Sequence, residues 1–231
     1  MDKILLIIPA YNEEESIERV INNLEKNFPQ YDYVIVNDGS KDKTEQVCVD
    51  NGYNIISLPI HLGLSGGFQA GMKYAKQYGY DYAVQFDADG QHLPEYIEPM
   101  LNLIKKEDDD IVIGSRFVKE KMNHSARMMG NRLINMCIKI TSGKRIYDST
   151  SGMRMFNRKM IKILADTPNM GPEPDTICYC IRSGAKVGEC QVKMQERLAG
   201  QSYLSFFKSI RYMITMSISI LIIQWFRKGN M

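Results

Sequence analysis

The chain has 231 residues, 44% of them hydrophobic, and a formal net charge of +2. That length suits one α/β domain with a small appendage and excludes a disordered chain. The near-neutral charge and the lack of an aromatic–basic repeat leave no footprint for nucleic acid. The five cysteines, Cys48, Cys137, Cys178, Cys180 and Cys190, are odd in number and show no zinc-knuckle spacing. They read as reduced, mostly buried thiols. The apolar run that opens the chain ends at Pro9 and an acidic cluster, without the length or cleavage region of a signal peptide. The cytoplasm is the expected location.

In chain order, Ile4–Ile8, Tyr33–Val36, Asn54–Leu58, Tyr82–Phe86 and Ile111–Gly114 are short, nearly continuous apolar runs, as parallel strands covered on both faces should be. Between the first two, Ile17, Val20, Ile21, Leu24 and Phe28 recur at steps of one, three and four, the period of an amphipathic helix. Further helices are expected over about 44–50 and 66–78 and after Pro94, where Ile97, Met100, Leu101 and Ile104 share a side. This alternation predicts an open α/β, mainly parallel sheet flanked by helices, with right-handed crossovers. The second half is less regular: a helix over Arg127–Thr141, a short strand at Arg154–Phe156, a helix over Pro174–Ser183 and a strand over Lys186–Met194.

The last stretch differs. Tyr212–Phe226 carries no charge, Lys208 and Arg211 precede it, Arg227 and Lys228 follow it, and no acidic residue occurs after Glu196. It falls short of the roughly 20 residues a spanning helix needs. The chain is therefore expected to divide into a domain over 1–203 and a basic, apolar, amphipathic helical tail over 204–231. Three readings of the tail compete: an interfacial membrane helix, a helix packed on the domain or on a second copy in a homo-oligomer, and a spanning helix.

Ligands of an open α/β sheet sit beyond the carboxyl ends of its strands. Four polar stretches fall there: Pro9–Glu13, Asn37–Ser40, Asp87–Gln91 and Ser115–Arg116. Any one alone is an ordinary turn, since Asn, Asp, Gly and Ser favour turns and caps. Together they line one edge. Gly63, Gly66 and Gly67 lack a following Lys-Ser/Thr pair, so they form no P-loop, and the first strand–helix turn has no GxGxxG. A hard divalent cation bridging phosphates is the economical use of Asp87 and Asp89, with Gln91 as a further oxygen donor. His92 reads as a capping or packed residue.

The blocks PAYNEE, VNDGS, DADGQH, GSR, DSTSGMR (148–154) and QERLAGQS (195–202) occur in the order seen in glycosyltransferase family 2. The chain most resembles the branch with dolichyl-phosphate mannose synthases and bacterial polyprenyl-phosphate or lipid-linked glycosyltransferases. The resemblance spans roughly residues 3 to 212. It implies a Rossmann-like GT-A fold and a metal-dependent, inverting transfer of a sugar from a nucleotide-sugar donor to a membrane lipid carrier, a polyprenyl phosphate. Pro9, Ala10, Tyr11, Glu13, Val36, Asp38 and Asp87 would then line the nucleotide pocket. Asp87, Asp89 and Gln91 would face Mg2+ or Mn2+ and the diphosphate. Arg116, Arg127 and Asn131, with Ser202, would meet the acceptor headgroup, and Arg197 would come over the donor on a loop with Gly200 and Ser202. Asp89 and Arg197 are the implied catalytic residues.

Glu173 and Asp175 are the remaining candidates. A hydroxyl acceptor needs a carboxylate as general base; a phosphate acceptor is already anionic and needs none. A hydroxyl on a lipid-linked saccharide, as in cell-wall polysaccharide assembly, is the alternative acceptor, and a non-catalytic nucleotide-sugar-binding subunit the alternative class. Many members of the branch append membrane helices; others are tethered by a small membrane-anchoring protein. Either arrangement predicts a peripheral enzyme on the cytosolic face of the membrane.

Overall fold

The computed structural model describes residues 2–120, 122, 126–195, 206–223 and 226, with backbone alone for 126, 127 and 206–210. The elements in chain order are β1 (Ile4–Ala10), α1 (Ile17–Asn27), β2 (Asp32–Asn37), α2 (Thr44–Asp50), β3 (Ile55–Ser57), α3 (Gly63–Gln77), β4 (Tyr82–Gln85), α4 (Ile97–Glu107), β5 (Ile111–Ser115), α5 (Ala126–Ser142), β6 (Arg154–Asn157), α6 (Arg158–Asp166), α7 (Pro174–Arg182), β7 (Val187–Gln191) and α8 (Phe206–Leu221). A 3-10 turn over Pro94–Tyr96 leads into α4.

The seven strands lie in the order β3-β2-β1-β4-β6-β5-β7. All neighbours pair in parallel except β6, which runs antiparallel between β4 and β5. Burial on both faces explains the continuous apolar runs. Leu5, Ile7, Val34, Val36 and Ile113 enter one core, under α3, α5, α6 and α7. Leu6, Ile8, Ile35, Val84 and Val112 enter the other, under α1 and α4. Alternate residues of one strand thus serve opposite layers.

The first half follows the sequence pattern to within a few residues. The second departs from it at β6, whose four residues are too few to signal a direction, and at α6, which the pattern reading left out. The signal for α6 was present: Asn157 caps it, its side chain accepting from Met160 N at 2.9 Å, and Met160, Ile161, Leu164 and Ala165 bury one face.

α7 is buried along most of its length because α5 and α8 cover it. The inner side of α8 presents Tyr212, Met213, Met216 and Ile220 to the core. Ile220 O accepts from Thr141 Oγ1 at 3.3 Å. Gly130 admits α8 closely, since a Cβ there would strike the Met213 thioether. Among the described residues, no helix is long and apolar enough to cross a membrane. The outer sides of the same two helices are apolar and exposed: Met129, Leu133, Met136 and Ile140 on α5, and Ile214, Ile218 and Leu221 on α8, each set at helical spacing.

All five cysteines are free thiols. Burial pushes the Cys48 and Cys178 thiols up to about 11 and Cys180 to about 12, so they are inert packing groups.

Candidate active site

Two loops at the carboxyl ends of β1 and β2 are laced together. Asn12 N donates to Ser40 Oγ at 3.0 Å and Lys41 N to Asn12 Oδ1 at 2.8 Å, while Glu13 N donates to Thr44 Oγ1 at 2.8 Å. Glu13 accepts from Ser16 Oγ at 2.6 Å, just ahead of α1. Asp38 is buried at this edge. Its Oδ1 accepts from Leu62 N at 2.7 Å, and its Oδ2 lies 2.9 Å from His61 Nδ1, which is also 3.1 Å from Asp38 O. Two oxygen acceptors at Nδ1 assign the ring proton there. The His61 ring stacks on Tyr11, centroids 4.0 Å apart. Gly39 makes the close approach possible: φ is +65°, and a Cβ would fall 2.8 Å from His61 N.

Tyr11, Asp38 and His61 thus form one shelf. Sequence reasoning passed over His61, which stands beside the Gly63 turn rejected as a P-loop. Ala10 and Val36 are placed differently from a pocket lining. Their side chains fill the two cores, so only their main chain faces the edge. Pro9 lies between them, part-exposed.

The DADGQ turn follows β4. Asp87 is part-exposed; Asp89 is buried, its Oδ1 accepting from Gln91 N at 3.0 Å. His92 is buried edge-on to Phe86, and its Nδ1 accepts from Asp87 N at 2.9 Å, which places the ring proton on Nε2, 3.4 Å from Asp87 Oδ2. His92 therefore positions Asp87 and offers no lone pair outward. Gln91 joins this turn to the chain after β7: Gln195 N donates to Gln91 O at 3.0 Å, and Gln91 Nε2 lies 3.4 Å from Gln195 O. Arg197, Gly200 and Ser202 lie outside the described residues, as does the side chain of Arg127.

At the end of β5, Arg116 and Asn131 do meet, but on a protein carboxylate. Asp148 is fully buried. It accepts from Arg116 Nε at 2.7 Å and Nη2 at 2.8 Å, from Arg116 N at 3.1 Å, and from Asn131 Nδ2 at 3.0 Å. Asn131 is buried in this cluster, away from any solvent-borne headgroup. Asp148 begins the DSTSGMR block, yet its charge was given no partner in the sequence reading. An arginine at the end of β5 and a buried aspartate were the available signal.

Glu173 and Asp175 point different ways. Glu173 Oε1 accepts from Ser65 Oγ at 2.9 Å, bringing it to the start of α3 beside the His61 shelf. Burial raises its carboxyl above the ordinary range. Asp175 is buried and accepts from Ser219 Oγ of α8 at 2.7 Å. Between them sits the fully buried Arg154, donating to the main-chain oxygens of Ser149, Ser151, Pro172 and Glu173 at 2.6–3.4 Å.

A divalent cation fits Asp87 and Asp89 as a partial donor set. Among the described residues, no group of three or more His, Cys, Asp or Glu side chains gathers to hold a metal. An ion there would draw its other ligands from phosphate oxygens and water, the habit of Mg2+ at nucleotide sites.

The family described as Glycosyl transferase family 2 matches residues 5–164. The chain is 34% identical over 187 residues to the UDP-N-acetylglucosamine–dolichyl-phosphate N-acetylglucosaminyltransferase of Methanococcus voltae, covering 71% of this chain and 74% of the relative. It is 29% identical over 215 residues to the undecaprenyl-phosphate mannosyltransferase of Micrococcus luteus, covering 88% of each. Among solved structures, glucosyl-3-phosphoglycerate synthase from Mycobacterium tuberculosis, in complex with Mn2+, UDP and phosphoglyceric acid, superposes with a TM-score of 0.71 at 16% identity. That likeness covers 96% of this chain and 79% of the other.

Proposed function

The chain belongs to glycosyl transferase family 2, has the GT-A fold and is a glycosyltransferase, and from that premise we propose that it moves a sugar from a nucleotide-sugar to a membrane-borne polyprenyl phosphate. The observation that carries this reading is the alignment along one sheet edge of the Tyr11–Asp38–His61 shelf and the Asp87/Asp89 turn. The names of the relatives, several of them polyprenyl-phosphate or dolichyl-phosphate sugar transferases, support the acceptor class.

In this reading the shelf takes the nucleoside, with Tyr11 and His61 offering ring faces and Asp38 holding His61 in place. Asp87 and Asp89 would hold a divalent cation at the diphosphate, where it would neutralise the charge that the leaving nucleoside diphosphate develops. His92 orients Asp87. Arg197, from the chain that follows Gln195, meets the same charge, as guanidinium groups do with phosphate. An anionic phosphate oxygen of the acceptor attacks the anomeric carbon from the face opposite the leaving group, inverting it, and no base takes a proton.

Membrane attachment follows from the exposed apolar stripes of α5 and α8, which fit a bilayer interface on the side holding the nucleotide-sugars. One observation favours the hydroxyl acceptor of a lipid-linked saccharide instead: Glu173, a half-buried carboxylate of raised proton affinity beside the donor shelf. The deciding experiment measures free nucleoside diphosphate and glycolipid product with UDP-, GDP- and dTDP-sugars and polyprenyl phosphate. No turnover with any pair overturns the proposal. With Glu173→Gln, kcat within a few-fold of the parent supports the phosphate acceptor; a collapse of kcat with KM unchanged supports the hydroxyl.

A further inference from the structure

We propose that the groove between α5, residues 117–120 with Met122, and residues 145–147 receives the phosphate headgroup of an anionic phospholipid of the bilayer, a lipid other than the one that reacts. The inference rests on the membrane reading above and adds a specific ligand to it. The groove encloses about 900 Å3, and Lys119, Arg132, Lys139 and Arg145 stand on its lining, all exposed. Among the described residues that line it, Glu120 is the single acidic one. Among the described residues, none of the four cations forms an ion pair.

Two of the guanidinium groups are already positioned. Arg132 Nη2 donates to Met122 O at 3.0 Å, and the Arg145 guanidinium lies 4.7 Å over the Tyr147 ring. Groups held in place lose less freedom when a phosphate arrives, and a guanidinium matches two phosphate oxygens at once.

The rest of the lining identifies the source of that phosphate. Ile146 is buried in it, and Met136 belongs both to this groove and to the exposed stripe of α5. A ligand with an anionic head and an apolar tail satisfies both surfaces; a free phosphate satisfies one. The groove is also walled off from the catalytic edge. Asn135 lines it, donates to Tyr147 O at 2.7 Å, and accepts from Ser149 N at 3.2 Å and Oγ at 2.5 Å. Beyond that wall Arg116 Nε and Nη2 and Asn131 Nδ2 donate to Asp148.

The test uses the full chain and vesicles of phosphatidylcholine, alone or mixed with phosphatidylglycerol. Arg132→Glu with Arg145→Glu should lower partitioning onto the mixed vesicles about thirtyfold or more, from roughly fivefold for each cation removed from an anionic surface. Partitioning onto pure phosphatidylcholine, which the apolar stripes set, should stay within about threefold. The control pair Lys26→Glu with Lys106→Glu, on α1 and α4 across the sheet, changes net charge equally and should leave both within about threefold. Equal losses from the two pairs overturn the groove in favour of a diffuse charge effect. Equal losses on both vesicle types overturn it in favour of purely apolar docking. Release from mixed vesicles by inorganic phosphate, but not by chloride at matched ionic strength, overturns the lipid as ligand. A raised KM for polyprenyl phosphate in neutral detergent, without phospholipid, gives the groove to the acceptor and also overturns the proposal. Nucleoside diphosphate binding by calorimetry shows that the variant is folded. Should no nucleotide-sugar be turned over at all, the vesicle comparison still decides the groove.

Discussion

The sides of the sheet edge proposed for donor and for acceptor fix their charges by different means. On the donor side the carboxylates are held by groups of their own turn or of the next loop. Asp89 takes an N–H from Gln91, and Asp38 takes one from Leu62 beside His61. On the acceptor side each buried charge joins two or more separate structural elements. Asp148 gathers Arg116 and Asn131, Arg154 joins 149–151 to 172–173, and Asp175 fastens α7 to α8. The donor groups can thus be altered with little cost to folding, whereas the acceptor groups are struts whose buried partners would be stranded.

The largest effect that contrast predicts is at Asp89. Asp89→Ala should reduce transfer roughly a hundred- to a thousandfold, while the melting temperature moves by less than about 2 °C. A large loss of melting temperature would break the comparison from the donor side. Arg154→Ala should do the reverse, leaving several buried carbonyl oxygens without a donor and lowering the free energy of unfolding in urea by about 3 kcal/mol or more. A loss under about 1 kcal/mol would show that Arg154 is no strut.

Glu173 sharpens the contrast through pH. Burial raises its carboxyl above the ordinary value of 4.5, so the folded chain keeps this proton to a higher pH than the unfolded chain does. The stability this contributes is complete below that ordinary value and is lost as pH rises through the shifted one. Glu173→Gln should therefore flatten the decline in unfolding free energy just above pH 4.5, measured by urea titration at stepped pH. A profile parallel to the parent's would exclude it. Ser219→Ala should cost about 1–2 kcal/mol, the loss of a hydrogen bond to a buried carboxylate, with Asp175→Asn partly restoring the difference. The smallest expected change in stability, within about 0.5 kcal/mol, is for Ile214→Ser with Ile218→Ser on the outer side of α8. The same pair should lower vesicle partitioning; unchanged partitioning would remove α8 from the membrane surface.

The donor half was readable because its strands and helices alternate and each polar turn sits in sequence next to the strand it ends. DADGQ and NDGS could be placed at one edge before any coordinates. The acceptor half depends on partners far apart in sequence: Asp148 with Arg116, Ser65 with Glu173, Ser219 with Asp175. No local period announces such pairs. β6 was visible as a short strand, but its antiparallel place between β4 and β5 is set by tertiary pairing. Arg116 and Asn131 were expected to meet an acceptor headgroup; a buried carboxylate, whose charge no pattern reveals, is what they share.

α8 also bears on how the protein can be handled. Its two faces do different jobs: Ile220 and Ser219 complete the interior and hold Asp175, while Ile214, Ile218 and Leu221 face outward. Cutting the chain ahead of Phe206 would therefore uncover α7 and remove the Ser219 hydrogen bond from the buried Asp175. Repainting the outer face of the helix with polar side chains leaves that seal in place. Solubility and catalytic integrity can be separated here by choosing a face, where choosing an end point would lose both.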